Sequence, residues 1–338
     1  ATTSGATALH LALAALGIGP GDEVIVPAFS WVTTANVVEY QRARTILCDI
    51  DLDTFNIDIP LIDKKITERT AAMIPVHLFG LPAEMEPILE IADKYGIPVI
   101  EDAACGLGAR YRKKHVGTFG TAAGFSFHPR KAITTGEGGM ITTQDQELAD
   151  KMRSMRTHGA AASDLHRHLS GKPYFLPDVP HLGYNYRMTD IQAALGSAQM
   201  DRAAEFHRKR TALADAYDSF LENISWLKPP VRNPESEHGF QAYVCLFQPE
   251  EITLENLEEI NRKRNAFMAY LQDNGIATRP GTLALHTLTY YAEKYGLRPE
   301  DFPVSLIACL GSVTLPLFPS LTDDELGYIF ETISEYKP

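Results

Sequence analysis

Three short stretches of the chain carry residues whose types and positions could do chemistry. Lys131 lies in GFSFHPRKAITTGEGG, between an apolar run and a glycine-rich stretch, and Asp102 directly follows the apolar strand of IPVIEDAAC. The small residues 4–7 (SGAT) begin a helix, where free backbone N–H groups can hold a phosphate. Taken singly, each has a simpler interpretation: a solvated lysine, a turn or helix cap at Asp102, and capping of the helix by Ser4.

Taken together, the three stretches supply what pyridoxal 5'-phosphate requires. A lysine amine condenses with the cofactor aldehyde, a carboxylate keeps the pyridine nitrogen protonated, and a helix N-terminus holds the phosphate. Trp31, in PAFSWVTTAN, could stack on the cofactor ring, although a packed core or interface aromatic is the simpler interpretation. Ser126 could offer its hydroxyl to the phosphate or be an inward-facing strand serine. The combination indicates a pyridoxal phosphate site.

The elements that must position these residues alternate between strands and helices. TALHLALAALG predicts a helix that ends at Gly17, where a left-handed cap is needed. Strands are predicted at VIV, ARTILCDID, TAAMIPVHLFG, IPVIEDAA, GTAAGFSFH and GGMITT, and further helices at EMEPILEIADKYG and QELADKMRSMR. This alternation, with strands apolar enough for burial on both sides, favours an α/β sheet wound on both faces.

The character of the chain changes after about residue 204. A long helical pattern from MTDIQAALG to DSFLENI, with room for one break, leads to the polar, Pro-rich stretch LKPPVRNPESEHG, which is typical of a boundary. The strand AYVCLF and the charged helix LENLEEINRKRNAFMAYLQDNG follow. We predict a cofactor-binding large domain over 1–204 and a smaller α+β domain over 205–338. Because the chain opens almost directly into a helix without an initiator Met, we also expect an N-terminal segment to be missing.

Bulk properties argue against several classes of protein. The 338 residues are 45% hydrophobic and 22% charged, which is ordinary for a globular protein. A formal net charge of −12 without a basic stripe argues against a nucleic-acid partner. No apolar run is long enough to cross a membrane, and no signal peptide is visible. The four scattered cysteines predict neither a disulfide framework nor a metal site, so we expect a cytoplasmic protein.

Four motifs in combination resemble the DegT/DnrJ/StrS family of nucleotide-sugar aminotransferases. They are GATALHLALAALGIGPGDEVIVPAFSWVTTAN, IPVIEDAAC, FSFHPRKAITTGEGGM and GYNYRMTDIQAALG. The likeness runs nearly end to end, through GTLALHTLTYYAEKYGLRPEDFPV and LPLFPSLTDDE. It implies the aspartate aminotransferase-like pyridoxal phosphate fold type I, with a mixed, mostly parallel sheet in a large domain and a smaller α+β C-terminal domain. It also implies a role in deoxyamino-sugar or O-antigen biosynthesis.

The resemblance assigns roles position by position. It implies that Lys131 condenses with the cofactor aldehyde, that Asp102 pairs with the pyridinium nitrogen and that Trp31 stacks on the ring. The phosphate would be held by Gly5, Ala6, Thr7 and Ser126. Asn185, in GYNYRMT, would reach the phosphate of the neighbouring subunit's cofactor, so a homodimer with shared active sites is expected.

Two departures from the family pattern stand out. Cys105, which the resemblance places among the cofactor-binding residues, stands where relatives usually have Gln or His near the phenolic oxygen of the cofactor. A thiol is a weak hydrogen-bond donor, so this departure bears on the tuning of the bond to Lys131 and not on its existence. Relatives also carry a few dozen residues before the SGAT helix, and these contribute to the substrate pocket and to the dimer contact.

The implied substrates are an amino acid and a nucleotide sugar. L-glutamate is the donor in most relatives, and the freed Lys131 amine would move its α-proton. The amino group would then pass to a ketone, at C4 of a 4-keto-6-deoxy sugar carried on a nucleoside diphosphate. The likeness of GYNYRMT to perosamine synthase-like members favours a GDP-linked 4-keto-6-deoxymannose.

A diphosphate requires cations, and a sugar requires a shaped pocket. Candidate cations are Arg187 and Arg279, together with Arg153 and Arg156, although each could be an ordinary surface or ion-pair arginine. His286 matches a histidine that often lines the sugar pocket in relatives, and a packed loop histidine is the alternative interpretation.

Three other functions compete with this one. Some relatives are keto-sugar dehydratases, but they carry histidine at the position of Lys131. A cofactor-bound sensory or regulatory protein without turnover would fit Cys105 and the short N-terminus. A nicotinamide-dependent oxidoreductase needs a GxGxxG turn after its first strand, and DEVIVPAF is followed by no such turn.

Overall fold

The structure, a computed structural model, describes residues 1–161, 176 and 178–338. The α-helices of this part of the chain are α1 (Gly5–Leu16), α2 (Thr33–Tyr40), α3 (Ile59–Lys65), α4 (Met85–Tyr95), α5 (Gln146–Arg156), α6 (Asp190–Met200), α7 (Ala203–Leu221), α8 (Leu257–Asp273), α9 (Thr289–Tyr295), α10 (Pro303–Gly311) and α11 (Asp323–Glu335). The strands are β1 (Glu23–Pro27), β2 (Phe29–Ser30), β3 (Arg44–Cys48), β4 (Thr70–Met73), β5 (Ile100–Asp102), β6 (Arg110–Tyr111), β7 (Lys114–His115), β8 (Ala122–Ser126), β9 (Gly139–Thr142), β10 (Leu227–Lys228), β11 (Ser236–Glu237), β12 (Tyr243–Phe247), β13 (Leu283–Ala284) and β14 (Ser312–Leu315).

The central sheet is mixed and mostly parallel, as predicted. Strand β1 lies between β3 and β4 and is parallel to both, while β8 lies between the parallel β5 and the antiparallel β9. Parallel bridges from Met73 to Val99 and from Val76 to Asp102 join the two halves, so the strand order is β3-β1-β4-β5-β8-β9. All five residues of β1 are buried, as expected of a parallel strand covered by helices on both faces.

Helix α1 begins and ends as its sequence predicts. The Ser4 side chain accepts a hydrogen bond from the backbone of Thr7, and the Thr7 side chain accepts one from the backbone of Ser4, which forms a capping box. Gly17 ends the helix with a φ of 81°, in the left-handed region. Leu9 and Leu13 are among the side chains that α1 buries in the core over the sheet. This packing fixes the N-terminus of α1 at one edge of the sheet.

The C-terminal part of the chain has its own antiparallel sheet and core. Strand β12 lies between β10 and β14, and both of its neighbours run antiparallel to it. Tyr217 of α7, Phe247 of β12 and Phe267 of α8 share a core cluster there. The predicted strand AYVCLF and the predicted charged helix are therefore confirmed by β12 and α8. The long helical pattern is broken once, between α6 and α7.

One late segment packs against the first part of the chain. Strand β13 pairs with β2, and Leu285 and Tyr291 belong to the same core cluster as Leu9. The division of the chain at residues 204 and 205 stays a prediction. The packing shows that residues after 205 contribute side chains to the core of the large sheet.

Neither a membrane-spanning helix nor a metal cluster occurs among the residues that the structure describes. None of these helices combines the length and the apolar character that crossing a bilayer requires. No group of three or more His, Cys, Asp or Glu side chains is placed to hold a metal ion. The expected cytoplasmic location stays a prediction.

Candidate active site

The sheet places Asp102 and Ser126 on neighbouring strand ends. Strands β5 and β8 run parallel, with Asp102 opposite Gly124, and Ser126 follows two residues later on the same face of β8. Both side chains therefore stand at the carboxyl edge of the sheet, where α/β proteins bind ligands.

The Lys131 amine reaches the turn that carries Asp102. Lys131 Nζ lies 3.2 Å from Cys105 Sγ, and Asp102 Oδ1 accepts a hydrogen bond of 3.1 Å from the backbone N–H of Ala104 in the same turn. A backbone hydrogen bond from Lys131 to His128 closes the turn on the lysine side. The structure thus brings the Lys131 amine against Cys105, which lies three residues after Asp102 in the same turn.

Asp102 is a buried carboxylate that is held by hydroxyl and backbone donors. It is 5% exposed, and its Oδ2 accepts a hydrogen bond of 2.7 Å from Thr34 Oγ1, which in turn lies 2.9 Å from Ser30 Oγ. Among the described residues, no cationic side chain forms an ion pair with it. Sequence reasoning missed Thr34 and Ser30, although both lie beside Trp31 in the motif FSWVTTAN.

Trp31 lies on the loop between β2 and α2. Its carbonyl accepts a hydrogen bond from the backbone N–H of Thr34, and its side chain is 56% exposed in the isolated chain. Thr34, three residues later in the first turn of α2, contacts Asp102, so the indole lies on the same short segment as one of the groups that hold the carboxylate.

The N-terminus of α1 packs tightly against the ends of β8 and β9. A Cβ added at Gly5 would come within 2.8 Å of Ser126 Cβ, and one added at Gly139 would collide with the carbonyl of Ser4. Only glycine, which has no Cβ, permits this close approach. The approach places the backbone N–H groups of Gly5 and Ala6, in the first turn of α1, beside Ser126. The N–H of Thr7 already donates to Ser4 Oγ in the capping box, so Gly5 and Ala6 are the better placed donors for an anion.

The segment GYNYR is held by backbone hydrogen bonds beside the start of the chain, and Asn185 forms an isolated antiparallel bridge with Thr157. Thr3 N donates to Tyr186 O and Tyr186 N donates to Arg156 O, at 3.0 and 3.1 Å. Tyr184 and Tyr186 stack with their ring centroids 4.8 Å apart, and His10 Nδ1 lies 3.1 Å from the hydroxyl of Tyr186. Because successive side chains alternate, Asn185 and Arg187 are left exposed.

The structure places the other predicted cations in different settings. Arg279 bridges to Thr314, and burial, followed by the charge of Arg130, lowers its pKa, while Cys105 acts in the opposite direction. No hydrogen bond or ion pair among the described residues joins the Arg279 side chain to the Lys131 site, so its role there stays a prediction. Arg153 instead forms a surface ion pair with Asp150, three residues earlier in α5, and Arg156 donates to the carbonyl of Ala1.

His286 is packed inside the chain. Its ring is 0% exposed and lies 5.0 Å from the ring of Phe302, with Nε2 2.9 Å from the carbonyl oxygen of Pro299. Burial lowers its pKa, which favours a neutral imidazole. The isolated chain thus shows the packed loop histidine of the alternative interpretation, and the role of His286 in the sugar pocket stays a prediction.

A second buried network fixes the strand that ends in Asp102. Glu101 accepts hydrogen bonds from the backbone N–H groups of Gly117, Phe119 and Gly120, at 2.6, 2.8 and 2.8 Å. His77 Nδ1 accepts from Ala83 N, so its proton lies on Nε2, 2.9 Å from Glu101. Burial alone would raise the pKa of Glu101, but the hydrogen bonds from His77 and from the backbone lower it overall. Sequence reasoning missed this pair as well.

The placement of Cys105 predicts the order in which the cysteines react. Burial raises the pKa of Cys48 to about 12 and that of Cys245 well above its ordinary value, whereas Cys105 is only half-buried. Because the thiolate is the nucleophile, we expect iodoacetamide to modify Cys105 before Cys48 or Cys245 in the folded protein. Peptide mass spectrometry over a time course measures this order. Modification of all three at one rate would contradict the placement.

Comparison with known proteins supports the resemblance seen in the motifs. The chain is 39% identical over 337 residues to the GDP-perosamine synthase of Caulobacter vibrioides, covering 99% of this chain and 84% of that protein. It is 38% identical over 334 residues to the GDP-perosamine synthase of Escherichia coli O157:H7, with the same coverage. Spr1654 from Streptococcus pneumoniae has been solved in a PMP-form and a PLP-form. The PMP-form matches with a TM-score of 0.89 and 30% identity, over 98% of this chain and 85% of that one.

The family model described as the DegT/DnrJ/EryC1/StrS aminotransferase family matches residues 1–334, which is nearly the whole chain. The solved relative shares the α/β fold, with a TM-score far above the value that chance similarity gives. The predicted resemblance is therefore confirmed, and the chain belongs to the DegT/DnrJ/EryC1/StrS aminotransferase family.

Proposed function

We propose that this protein is a pyridoxal 5'-phosphate-dependent sugar aminotransferase. It transfers an amino group from an amino acid, L-glutamate in our proposal, to the keto group of a 4-keto-6-deoxyhexose linked to a nucleoside diphosphate. The observation that carries the proposal is the contact between Lys131 Nζ and Cys105 Sγ, in the turn whose backbone holds the buried Asp102 carboxylate. The family match and the PLP-form and PMP-form of a solved relative support it.

The residues present fit the cofactor. The N-terminus of α1, with the N–H groups of Gly5 and Ala6 beside Ser126, is suited to a phosphate because its dipole and free donors favour an anion. Asp102 is a buried carboxylate without a cationic partner among the described side chains, so a protonated ring nitrogen would complete it. Trp31 offers an exposed aromatic face nearby. When bound, the cofactor supplies an aldehyde that takes up the donor's amino group and a ring that withdraws electrons from the carbon being deprotonated.

The chain's own residues then have separate tasks. The Lys131 amine would take the proton from the α-carbon of the donor and deliver it to the former aldehyde carbon of the cofactor, because a proton returned to the α-carbon would only regenerate the donor. Asp102 retains a proton at the ring nitrogen, and the first turn of α1 neutralises the phosphate. Arg279, on whose pKa Cys105 acts, and the exposed Arg187 are our candidates for the sugar diphosphate. Two relatives are named GDP-perosamine synthase, which supports a GDP-linked 4-keto-6-deoxymannose as the acceptor.

Borohydride reduction tests the cofactor site directly. The purified protein is saturated with pyridoxal 5'-phosphate, reduced and digested, and the modified peptide is identified by mass spectrometry. We expect a pyridoxyl group on Lys131. An unmodified Lys131 in saturated protein rejects the proposal. Assays with L-glutamate and a panel of keto-sugar nucleotides then identify the acceptor. A protein that carries the label but aminates none of them would favour the regulatory alternative.

We further propose that two copies of the chain share their active sites. Helix α6 buries none of its residues in the isolated chain, and it exposes Ile191, at 85%, and Leu195, at 45%. An apolar face of this kind usually marks an interaction surface. Helix α6 follows the exposed Asn185 in the chain. A second subunit packed on α6 would therefore lie next to Asn185, which we expect to reach the phosphate of that subunit's cofactor.

Mixed dimers test this sharing. The K131A and N185A variants each lack one part of the site, so a dimer with one subunit of each kind contains one intact site and one doubly defective site. Random exchange should give mixed dimers for half the molecules and intact sites for about a quarter of the total. We expect the mixture to exceed the mean activity of the two variants measured alone. Activity equal to that mean would contradict a shared site.

A further inference from the structure

We propose that two buried hydroxyl groups, those of Ser30 and Thr34, position the carboxylate of Asp102 for the ring nitrogen of the cofactor. The proposal rests on the function proposed above. Thr34 Oγ1 lies 2.7 Å from Asp102 Oδ2, and Ser30 Oγ lies 2.9 Å from Thr34 Oγ1. We call these three side chains the hydroxyl relay. Thr34 is a positioning residue, because it acts through Asp102.

The chemistry of the carboxylate fixes the direction of the hydrogen bonds. An ionised carboxylate only accepts, so Thr34 donates its single hydroxyl proton to Asp102. The oxygen of Thr34 is then available as an acceptor, and Ser30 donates to it. Hydrogen bonds in such a chain polarise one another and become stronger.

Burial makes the hydroxyl relay strong. Ser30 and Thr34 are 1% and 0% exposed and Asp102 is 5% exposed, so the bond between Thr34 and the carboxylate is shielded from water. Hydrogen bonds to charged groups are about twice as strong as neutral ones. The other carboxylate oxygen, Oδ1, accepts from the backbone N–H of Ala104 at 3.1 Å. One donor on each oxygen fixes the plane of the carboxylate at two points.

The hydroxyl relay also ties the carboxylate to the loop that carries Trp31. Ser30 ends β2, Thr34 lies in the first turn of α2, and Trp31 lies between them. The partner for the ring nitrogen and the aromatic face for the ring are therefore set by the same loop. Because catalysis is sensitive to small misplacements, loss of the Thr34 hydroxyl should disturb both binding and turnover.

Three variants test the hydroxyl relay in the protein loaded with pyridoxal 5'-phosphate. T34V removes the hydroxyl but keeps the shape of the side chain. We expect it to raise the Kd for the cofactor about tenfold or more and to slow the half-reaction with L-glutamate, at saturating cofactor, by a similar factor. T34S keeps the hydroxyl and should restore most of both. T33V makes the same change at the neighbouring residue, whose hydroxyl forms no hydrogen bond among the described residues, and should match the wild type.

The outcomes separate the two proposals. Wild-type Kd and half-reaction rate in T34V would overturn the positioning role. Equal losses in T34V and T34S would also overturn it, because the packing of the methyl group, and not the hydroxyl, would then be the cause. A wild-type protein that binds no pyridoxal 5'-phosphate would instead overturn the proposed function. Thermal melts of the cofactor-free variants check that all three are folded.

Discussion

Replacement of Lys131 by alanine is expected to lower the rate of transamination by about 10³-fold or more, because one amine serves both as the attachment point and as the proton carrier. The structure places this amine 3.2 Å from Cys105 Sγ, beside the turn of Asp102. In steady-state assays the loss should appear in kcat. The variant should keep its affinity for the phosphate, because the donors at the start of α1 are unchanged.

Lys114→Ala is the matched control for this experiment. Lys114 is exposed on β7, and its loss should leave activity unchanged. Small primary amines added to the K131A variant should restore part of the proton transfer, since they can occupy the space of the deleted side chain. A K131A variant that retains more than a tenth of the wild-type kcat would contradict the assigned role.

Replacement of Glu101 by glutamine is expected to cost about 3–5 kcal/mol of unfolding free energy, the usual loss when one partner of a buried charged network is removed. Glu101 is 0% exposed and accepts from His77 and from three backbone N–H groups. Glutamine has one carbonyl oxygen to offer, and its NH₂ group would face donors. Urea denaturation at neutral pH measures the loss. Glu90→Gln, an exposed change on α4, should alter stability by no more than about 0.5 kcal/mol.

The pH dependence of this stabilisation has a definite sign. The pKa of Glu101 in the folded chain is lowered from its ordinary value of 4.5. The stabilisation is therefore fully present above the pKa of the unfolded chain and is lost as the pH falls through the lower, folded pKa. The difference between the wild type and E101Q should be constant near neutrality and shrink in acid. A difference that grows as the pH falls would contradict the assignment of a charged Glu101.

The convergence of Lys131, Asp102 and the start of α1 could be predicted from the sequence for a physical reason. Asp102 and Lys131 both follow apolar strands, and the carboxyl ends of parallel strands meet at one edge of a sheet. The start of α1 at Ser4 and its end at Gly17 could likewise be predicted from the neighbouring residues alone. Rules of this kind need only the neighbouring residues and the direction of the strand.

The hydroxyl relay and the His77–Glu101 pair could not be predicted in the same way. Each joins side chains from different strands or loops, and its partners are known only once the strand order is fixed. His286 shows the same limit. Its burial against Phe302 follows from the fold-back of β13 and α9 onto the large sheet's core, which no local pattern of residues contains.

The pairing of β13 with β2 has a consequence for the synthesis of the protein. Ser30 and Leu283 are partners in this pairing although roughly 250 residues separate them, so closing the loop between them carries a large entropic cost. Tyr295 and Ser305 add hydrogen bonds to Thr45 and Asp49 over a similar separation. A nascent chain that ends before residue 284 lacks the strand that supports the Trp31 loop. We therefore expect the ability to retain vitamin B6 to arise only after residue 284 has been translated.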